Sequence, residues 1–421
     1  MRVQFVDSIQ IEGGISLQGQ IKVQGSKNAT LPILAATVLI HGISIIENCP
    51  RIADVNTMVK LLQNIGCTVN FKDHSIIVDA TSVKESRLPK EDVTKMRSSI
   101  MLMGALLGRL KRVSLDYPGG CVIGKRPVDF HLQALKNLGI TIEEEENSII
   151  AFTEYMTGCD IHLPFASVGA TENCILAAVC AQGKTKIYNA AKEPEISALC
   201  QFLIQTGAKI QGIGTSCIII EGVESLHGTT FCVPSDRIVA GTYVFACVAC
   251  GGDISLLQAP TKQMGSIISC AERMGSKIMI EKNSLRILRN EQIHAIPYIK
   301  TEVYPGFPTD IQSMLMVACA LAEGTSRIEE TIFENRYKMV KELRTMGAKV
   351  KIDGSNAYIT GVSKLQGKHV IAEELRGGAA LVIAGMAAYG ITVVNNKYFI
   401  DRGYEDICKD LSRLGARINV E

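Results

Sequence analysis

The sequence predicts an α/β protein of two domains, each made from three copies of one supersecondary unit. Three observations carry this expectation. A pattern of amphipathic helix, glycine and short strand recurs six times, a second short motif follows some of the copies, and the chain is long enough for two cores. Its 421 residues are 47% hydrophobic, which suffices to bury the interiors of two or three domains.

The six copies read LLQNIGCTV, LKNLGITI, LIQTGAKI, AERMGSKI, LRTMGAKV and LSRLGARI, with glycines at Gly66, Gly139, Gly207, Gly275, Gly347 and Gly415. Their spacings are 73, 68, 68, 72 and 68 residues. Glycine at each helix end suits a left-handed C-cap. So long a period exceeds a solenoid repeat and fits a unit of one or two helices with several strands. GVESLHG (222–228) and GVSKLQG (361–367) follow their capping glycines, whereas the matching GGISLQG (13–19) has no helix before it. The last repeat lacks this piece, so the N-terminal segment is expected to return and complete it. One domain then comprises 1–24 and 234–421, and encloses a second from 25 to 233.

Bulk charge narrows the function. With 44 basic and 42 acidic residues and a net charge of +2, no basic stripe for nucleic acid or general anion trap is expected, and phosphate affinity must be local. MRVQFVDSIQ breaks polarity too early for a secretory core. The uncharged stretch 377–396 reads as a buried helix followed by a strand rather than a membrane span. Fourteen cysteines without a secretion signal suggest reduced thiols in a cytoplasm. Cys247 and Cys250 form a C-x-x-C inside the apolar run YVFACVAC, which points to core packing rather than metal or redox chemistry.

Chemistry concentrates in a few motifs. In PGGCVIGKRPVD (118–129), Cys121 sits beside two glycines, and Lys125 and Arg126 would stabilise its thiolate and could hold an anion. The plain alternative is a surface turn with an ordinary thiol. Lys27 and Asn28 precede the helical run ATLPILAATVLI, with Pro32 expected in its first turn. A lysine there opposes the helix dipole unless an anion binds. SVGATEN (167–173) reads as a helix entry with Ser167 as N-cap, and exposed amides at such an entry suit a diphosphate or simply begin a capped core helix. Asp310 in GFPTDIQ lies near a helix start, where a carboxylate can be a proton acceptor or an ordinary cap.

These motifs, with GSKNATLPILAA (25–36), KMRSSI (95–100), FENR (333–336) and DRGYE (401–405), resemble the enolpyruvyl transferase family, in its order and over almost the whole chain. Within that family they look like the UDP-N-acetylglucosamine 1-carboxyvinyltransferases. The resemblance implies a two-domain inside-out α/β barrel, each domain three βαββ-type repeats around buried helices, with the active site in the cleft between domains. It implies transfer of the enolpyruvyl group of phosphoenolpyruvate to UDP-N-acetylglucosamine at the opening of peptidoglycan synthesis, without metal or cofactor.

The resemblance also assigns residues. Lys27 contacts phosphoenolpyruvate and Asn28 helps hold the sugar nucleotide. Arg97, Arg126, Arg376 and Arg402 converge on the carboxylate and phosphate. Ser167, Val168 and Gly169 hold the diphosphate, while Arg126, Pro127, Val128, Asp129 and Phe130 line the nucleotide site and Ile332 joins the substrate-binding set. Asp310 is the base, and Lys27, Cys121, Asp310 and Arg402 form the catalytic group. Cys121 acts as general acid or in product release, and is the expected target of the epoxide fosfomycin. Three departures stand out: Glu374 where the family usually has Asp, Val239 for Glu, and Met339 for His. The alternatives are 3-phosphoshikimate enolpyruvyl transfer and a weakly active regulatory paralogue. Oligomeric state stays open.

Overall fold

The computed structural model describes residues 7–120, 123–124 and 127–421; Cys121 and Arg126 lie outside the described residues. The chain divides into two compact units. One comprises Met1–Gln24, Val122–Arg126 and Ser235–Glu421, and the other Gly25–Cys121 and Pro127–Pro234. Within the first unit, the Ile123 carbonyl accepts a hydrogen bond of 3.0 Å from the Asn335 N–H.

In the second unit a strand–helix–strand–strand motif appears three times. The first copy runs Ile43–Glu47, Ala53–Asn64, Thr68–Lys72 and Ser75–Asp79. The second begins at Arg112–Asp116 and the third at Lys184–Tyr188. In every copy the last strand lies between the other two and pairs antiparallel with both. A fourth strand joins parallel in the first and third sheets, while the second has only the isolated bridge Arg87–Ser114 there.

The first unit repeats the plan from Gly252–Leu257, Thr325–Glu329 and Ile391–Asn395. Its last sheet takes its central strand from the start of the chain. Ile9–Glu12 pairs antiparallel with Ile391–Asn395 on one side and Arg417–Val420 on the other. Leu17–Lys22 then runs parallel to Gly252–Leu257.

The six capping glycines have φ between 86° and 107°, the left-handed conformation that ends a helix at low cost only for glycine. The helices they end are amphipathic. Val55, Met58, Val59 and Leu62 of Ala53–Asn64 are buried at helical spacing, so one face covers the core and the other meets solvent.

A different class of helix fills the centres. We label them α1 (Lys27–Ala36), α2 (Met101–Leu110) and α3 (Val168–Ala178) in the second unit. In the first unit they are α4 (Arg237–Cys250), α5 (Gln312–Leu321) and α6 (Leu375–Ala387). They are buried almost all round, as expected of helices apolar on every face. α2 packs against both α1 and α3, and α4, α5 and α6 pack mutually. The expected mixed α/β architecture with inward helices is therefore present. The sheets that wrap these helices remain separate rather than joining into one closed barrel.

Candidate active site

Among the described residues, those named from sequence fall on both units, and several stand at the N-terminal ends of core helices. In the second unit, α1 begins two residues earlier than its apolar run suggests, at Lys27, with Ser26 as N-cap accepting from the Ala29 N–H. Pro32 is consequently the sixth helical residue rather than a first-turn residue. It has no N–H to donate, so the carbonyl of Asn28 loses its intrahelical partner. Lys27 is 8% exposed, and its Nζ meets Asp54 at 2.7 Å. The anion needed to offset a cation at a helix N-terminus is thus supplied partly by the protein itself.

Arg97 opens a 3-10 turn that runs into α2. Its guanidinium donates to the Pro118 carbonyl at 3.4 Å and the Pro127 carbonyl at 3.0 Å. One side chain therefore ties together the two ends of the segment that contains Cys121. Gly119 is required at the near end, because a Cβ would fall 1.7 Å from the Thr94 carbonyl oxygen. Beyond Pro127, Val128 caps the helix Asp129–Asn137 without a side-chain bond, and Asp129 and Phe130 are its first residues.

Ser167 is the N-cap of α3 and accepts from the Ala170 N–H at 3.4 Å, leaving Val168 and Gly169 in the first turn. Gly169 is where the helix Asp129–Asn137 comes closest: a Cβ would lie 2.9 Å from Cε1 of His131. A buried network that the sequence did not disclose fixes this junction. Asn173 Nδ2 lies 2.8 Å from His131 Nδ1 and donates to the Ile100 carbonyl, while Asn173 Oδ1 accepts from the Gly104 N–H. Next to it, Glu172 is wholly buried, and burial, then the charges of Glu195 and Glu193, push its pKa well above the usual carboxylate value.

The first unit carries Asp310, Ile332, Arg376 and Arg402. Asp310 lies in the 3-10 turn Thr309–Ile311 that leads into α5. Two arginines hold its carboxylate: Arg336 Nη2 is 2.6 Å from Oδ1 and Arg376 Nη2 is 3.5 Å from Oδ2. Arg376 also donates to the Tyr404 hydroxyl at 3.2 Å, and that hydroxyl lies 2.7 Å from Thr242 Oγ1. Burial opposes the charge of Arg376, but Tyr404, Asp310 and Asp236 outweigh it and raise its pKa.

Arg402 is buried at the C-cap of Tyr398–Asp401. Its neighbour Asp401 is engaged by Lys397 at 2.6 Å. Ile332 is half-buried, and its N–H donates to Glu330 Oε1 at 2.8 Å.

The three departures are all at buried positions. Glu374 is the N-cap of α6 and accepts from the Arg376 N–H at 2.8 Å and from the Gly377 N–H. Met339 is buried, with its Cβ against Gly377. Val239 is a core residue of α4 whose N–H is bound by the N-cap Asp236. The C-x-x-C cysteines are core thiols, and burial pushes both up to about 12. Among the described residues there is no cluster able to hold a metal ion, and no helix long and apolar enough to cross a membrane.

Arg336, which holds Asp310, was passed over by sequence reasoning. FENR contained it, but a single arginine in a polar motif carries no sign of a partner 26 residues away.

Comparison with known proteins places this arrangement. The family model described as EPSP synthase (3-phosphoshikimate 1-carboxyvinyltransferase) matches residues 11–411. The chain is 48% identical over 409 residues to UDP-N-acetylglucosamine 1-carboxyvinyltransferase 2 of Caldanaerobacter subterraneus subsp. tengcongensis, covering 97% of this chain and 98% of that one. It is 44% identical to UDP-N-acetylglucosamine 1-carboxyvinyltransferase of Nitratidesulfovibrio vulgaris, covering 99% of this chain and 100% of the other. Among solved structures, the enolpyruvyl transferase NikO from Streptomyces tendae superposes with a TM-score of 0.90 at 23% identity, with 99% of each chain covered. An EPSP synthase from Acinetobacter baumannii gives 0.77 at 18% identity, with 99% and 100% covered. Those two likenesses speak to the fold, and the closer sequence matches to the family: this chain belongs to the enolpyruvyl transferases, among the UDP-N-acetylglucosamine 1-carboxyvinyltransferases.

Proposed function

We propose that this chain transfers the enolpyruvyl group of phosphoenolpyruvate to the 3′-hydroxyl of UDP-N-acetylglucosamine and releases phosphate, the first committed step of peptidoglycan biosynthesis. The observation that carries this reading is identity of 40–48% over nearly the full chain to relatives of that name. The site geometry is consistent with it.

The reaction is an addition followed by an elimination. The sugar hydroxyl oxygen bonds to C2 as C3 takes a proton, and Asp310 accepts the hydroxyl proton. A tetrahedral phosphate ketal results. Loss of a C3 proton and cleavage of the bond from C2 to the phosphate oxygen then restore the double bond and release phosphate. Lys27, Arg97, Arg126, Arg376 and Arg402 hold the carboxylate and phosphate and stabilise developing oxyanionic charge. Cys121 delivers the proton at C3 or assists product release, and its thiol is the group an epoxide such as fosfomycin alkylates. Ser167, Val168 and Gly169 bind the diphosphate at the α3 N-terminus, with Asn28, Pro127, Val128, Asp129, Phe130 and Ile332 about the nucleotide sugar. The enzyme works in the cytoplasm.

Asp310 is paired with two guanidinium groups, and a substrate anion that competes for Arg376 would draw one of them away from it. The test is phosphate release from phosphoenolpyruvate, with UDP-N-acetylglucosamine and separately with shikimate 3-phosphate as acceptor. Release with the nucleotide sugar alone is expected. Release with shikimate 3-phosphate alone would reverse the assignment.

A further inference from the structure

Within the first unit, one arginine is held too thoroughly to be an ordinary ion-pair partner. Each of the three guanidinium nitrogens of Arg336 faces a different group. Nη2 meets Asp310 Oδ1 at 2.6 Å, Nη1 faces Glu374 Oε2 at 3.7 Å, and Nε donates to the Thr309 carbonyl at 3.3 Å. Its plane also lies near the Phe333 ring, 5.9 Å from the centroid. Such a three-sided grip uses the planar fork of guanidinium, which an ammonium cannot reproduce.

Burial grades along this chain of contacts. The side chains of Arg336 and Glu374 are 2% and 3% exposed, but that of Asp310 is 28% exposed. Glu374 is itself pinned by the Arg376 and Gly377 amides at the start of α6. A rigid core helix is thus linked through Glu374 and Arg336 to one oxygen of the only partly exposed member of the three. Such buried pairs are often no better for stability than apolar packing. Their geometry fixes where the Asp310 carboxylate points.

We propose that Arg336 is a positioning residue for the transfer reaction, holding Asp310 by Oδ1 in the orientation that accepts the proton of the acceptor hydroxyl, with Glu374 as its anchor. This rests on the transfer reading above. The role acts on the chemical step and not on substrate affinity, because Arg336 itself is buried behind Asp310.

The experiment compares wild type, Arg336→Met, Arg336→Lys, Asp310→Asn and the Arg336→Met/Asp310→Asn double variant in the full chain, by phosphate release under saturating and limiting substrate. Arg336→Met should lower kcat by roughly 100-fold, the scale of a misplaced catalytic group, with KM for both substrates nearly unchanged. The double variant should be no slower than Asp310→Asn alone, since the two residues act as a unit. Arg336→Lys keeps the charge, and should lose about tenfold in kcat for want of the fork geometry. If Arg336→Met melts below the assay temperature, the lysine variant carries the comparison. Unchanged kcat, a change confined to KM, or a double variant showing the product of both single losses would each overturn the positioning role. A wild-type chain inactive with either acceptor would overturn the transfer reading and this role together; active wild type with an unaffected Arg336→Met overturns the role alone.

Discussion

The two units share one plan yet begin their core helices with opposite chemistry. In the second unit, α1 and α3 start from serine caps, Ser26 and Ser167, and α2 has no side-chain cap. In the first unit, α4 and α6 start from the carboxylates of Asp236 and Glu374, each followed within two residues by a buried arginine. Asp310 stands just ahead of α5, gripped by Arg336 and by that same Arg376. A neutral hydroxyl cap satisfies one amide and leaves the positive helix end for an incoming anion, whereas a carboxylate cap supplies the negative charge in advance. The same scaffold can therefore offer anion-receptive helix ends on one unit and fixed ionic networks on the other.

The sharpest way to break this comparison is Asp310→Asn. If the ionic network serves chemistry, kcat should fall by about 10²–10⁴-fold, the usual scale for a positioned base. Phosphate release measures it, and binding of the nucleotide sugar should persist. The next effect concerns the second unit's one ionic start. Asp54→Ala removes a carboxylate 2.7 Å from the buried Lys27, and should lower stability by about 3 kcal/mol, as for broken buried pairs. Denaturant unfolding would report it, and a loss near zero would mean Lys27 relies on its other contacts.

A pH prediction follows from Glu172. Its pKa is raised well above the ordinary 4.5 by burial and by the neighbouring Glu195 and Glu193, so the folded chain retains a proton that the unfolded chain releases above about that pH. Stability from this group is therefore present below 4.5 and declines as pH rises toward the folded-state value. Glu172→Gln should flatten that decline in thermal melts taken across pH. An unchanged pH profile would mean that Glu172 is charged in the fold. The smallest effect is Ser167→Ala, about 1 kcal/mol for a lost hydroxyl cap, read from the same melts.

Local features were legible in the sequence and long-range ones were not. The six glycines announced the helix ends because a left-handed cap is a one-residue requirement. Ser167 announced α3 because a hydroxyl N-cap is likewise a one-residue requirement, and the unpaired GGISLQG pointed to the strand that Ile9–Glu12 adds to the C-terminal sheet. Lys27, Asp310, Arg376 and Arg402 were named through family motifs, not through their spacing. Arg336, Asn173 and the capping role of Glu374 escaped because each depends on a partner on another element. Pro32 misled by one helical turn, since the apolar run does not include the polar residues with which α1 begins.

The strand Ile9–Glu12 also sets an order of events. Its neighbours in the sheet lie far along the chain, and Ser8 and Glu421 exchange backbone hydrogen bonds of 3.1 and 2.9 Å. On the ribosome, residues 25–234 can be complete while the first unit still lacks the strands that flank its opening segment. Ile9–Glu12 must then wait for its partners Ile391–Asn395 and Arg417–Val420 to be made. The meeting of the two ends suggests a remedy: a permuted gene that links them through a short bridge would let that sheet form as one continuous piece.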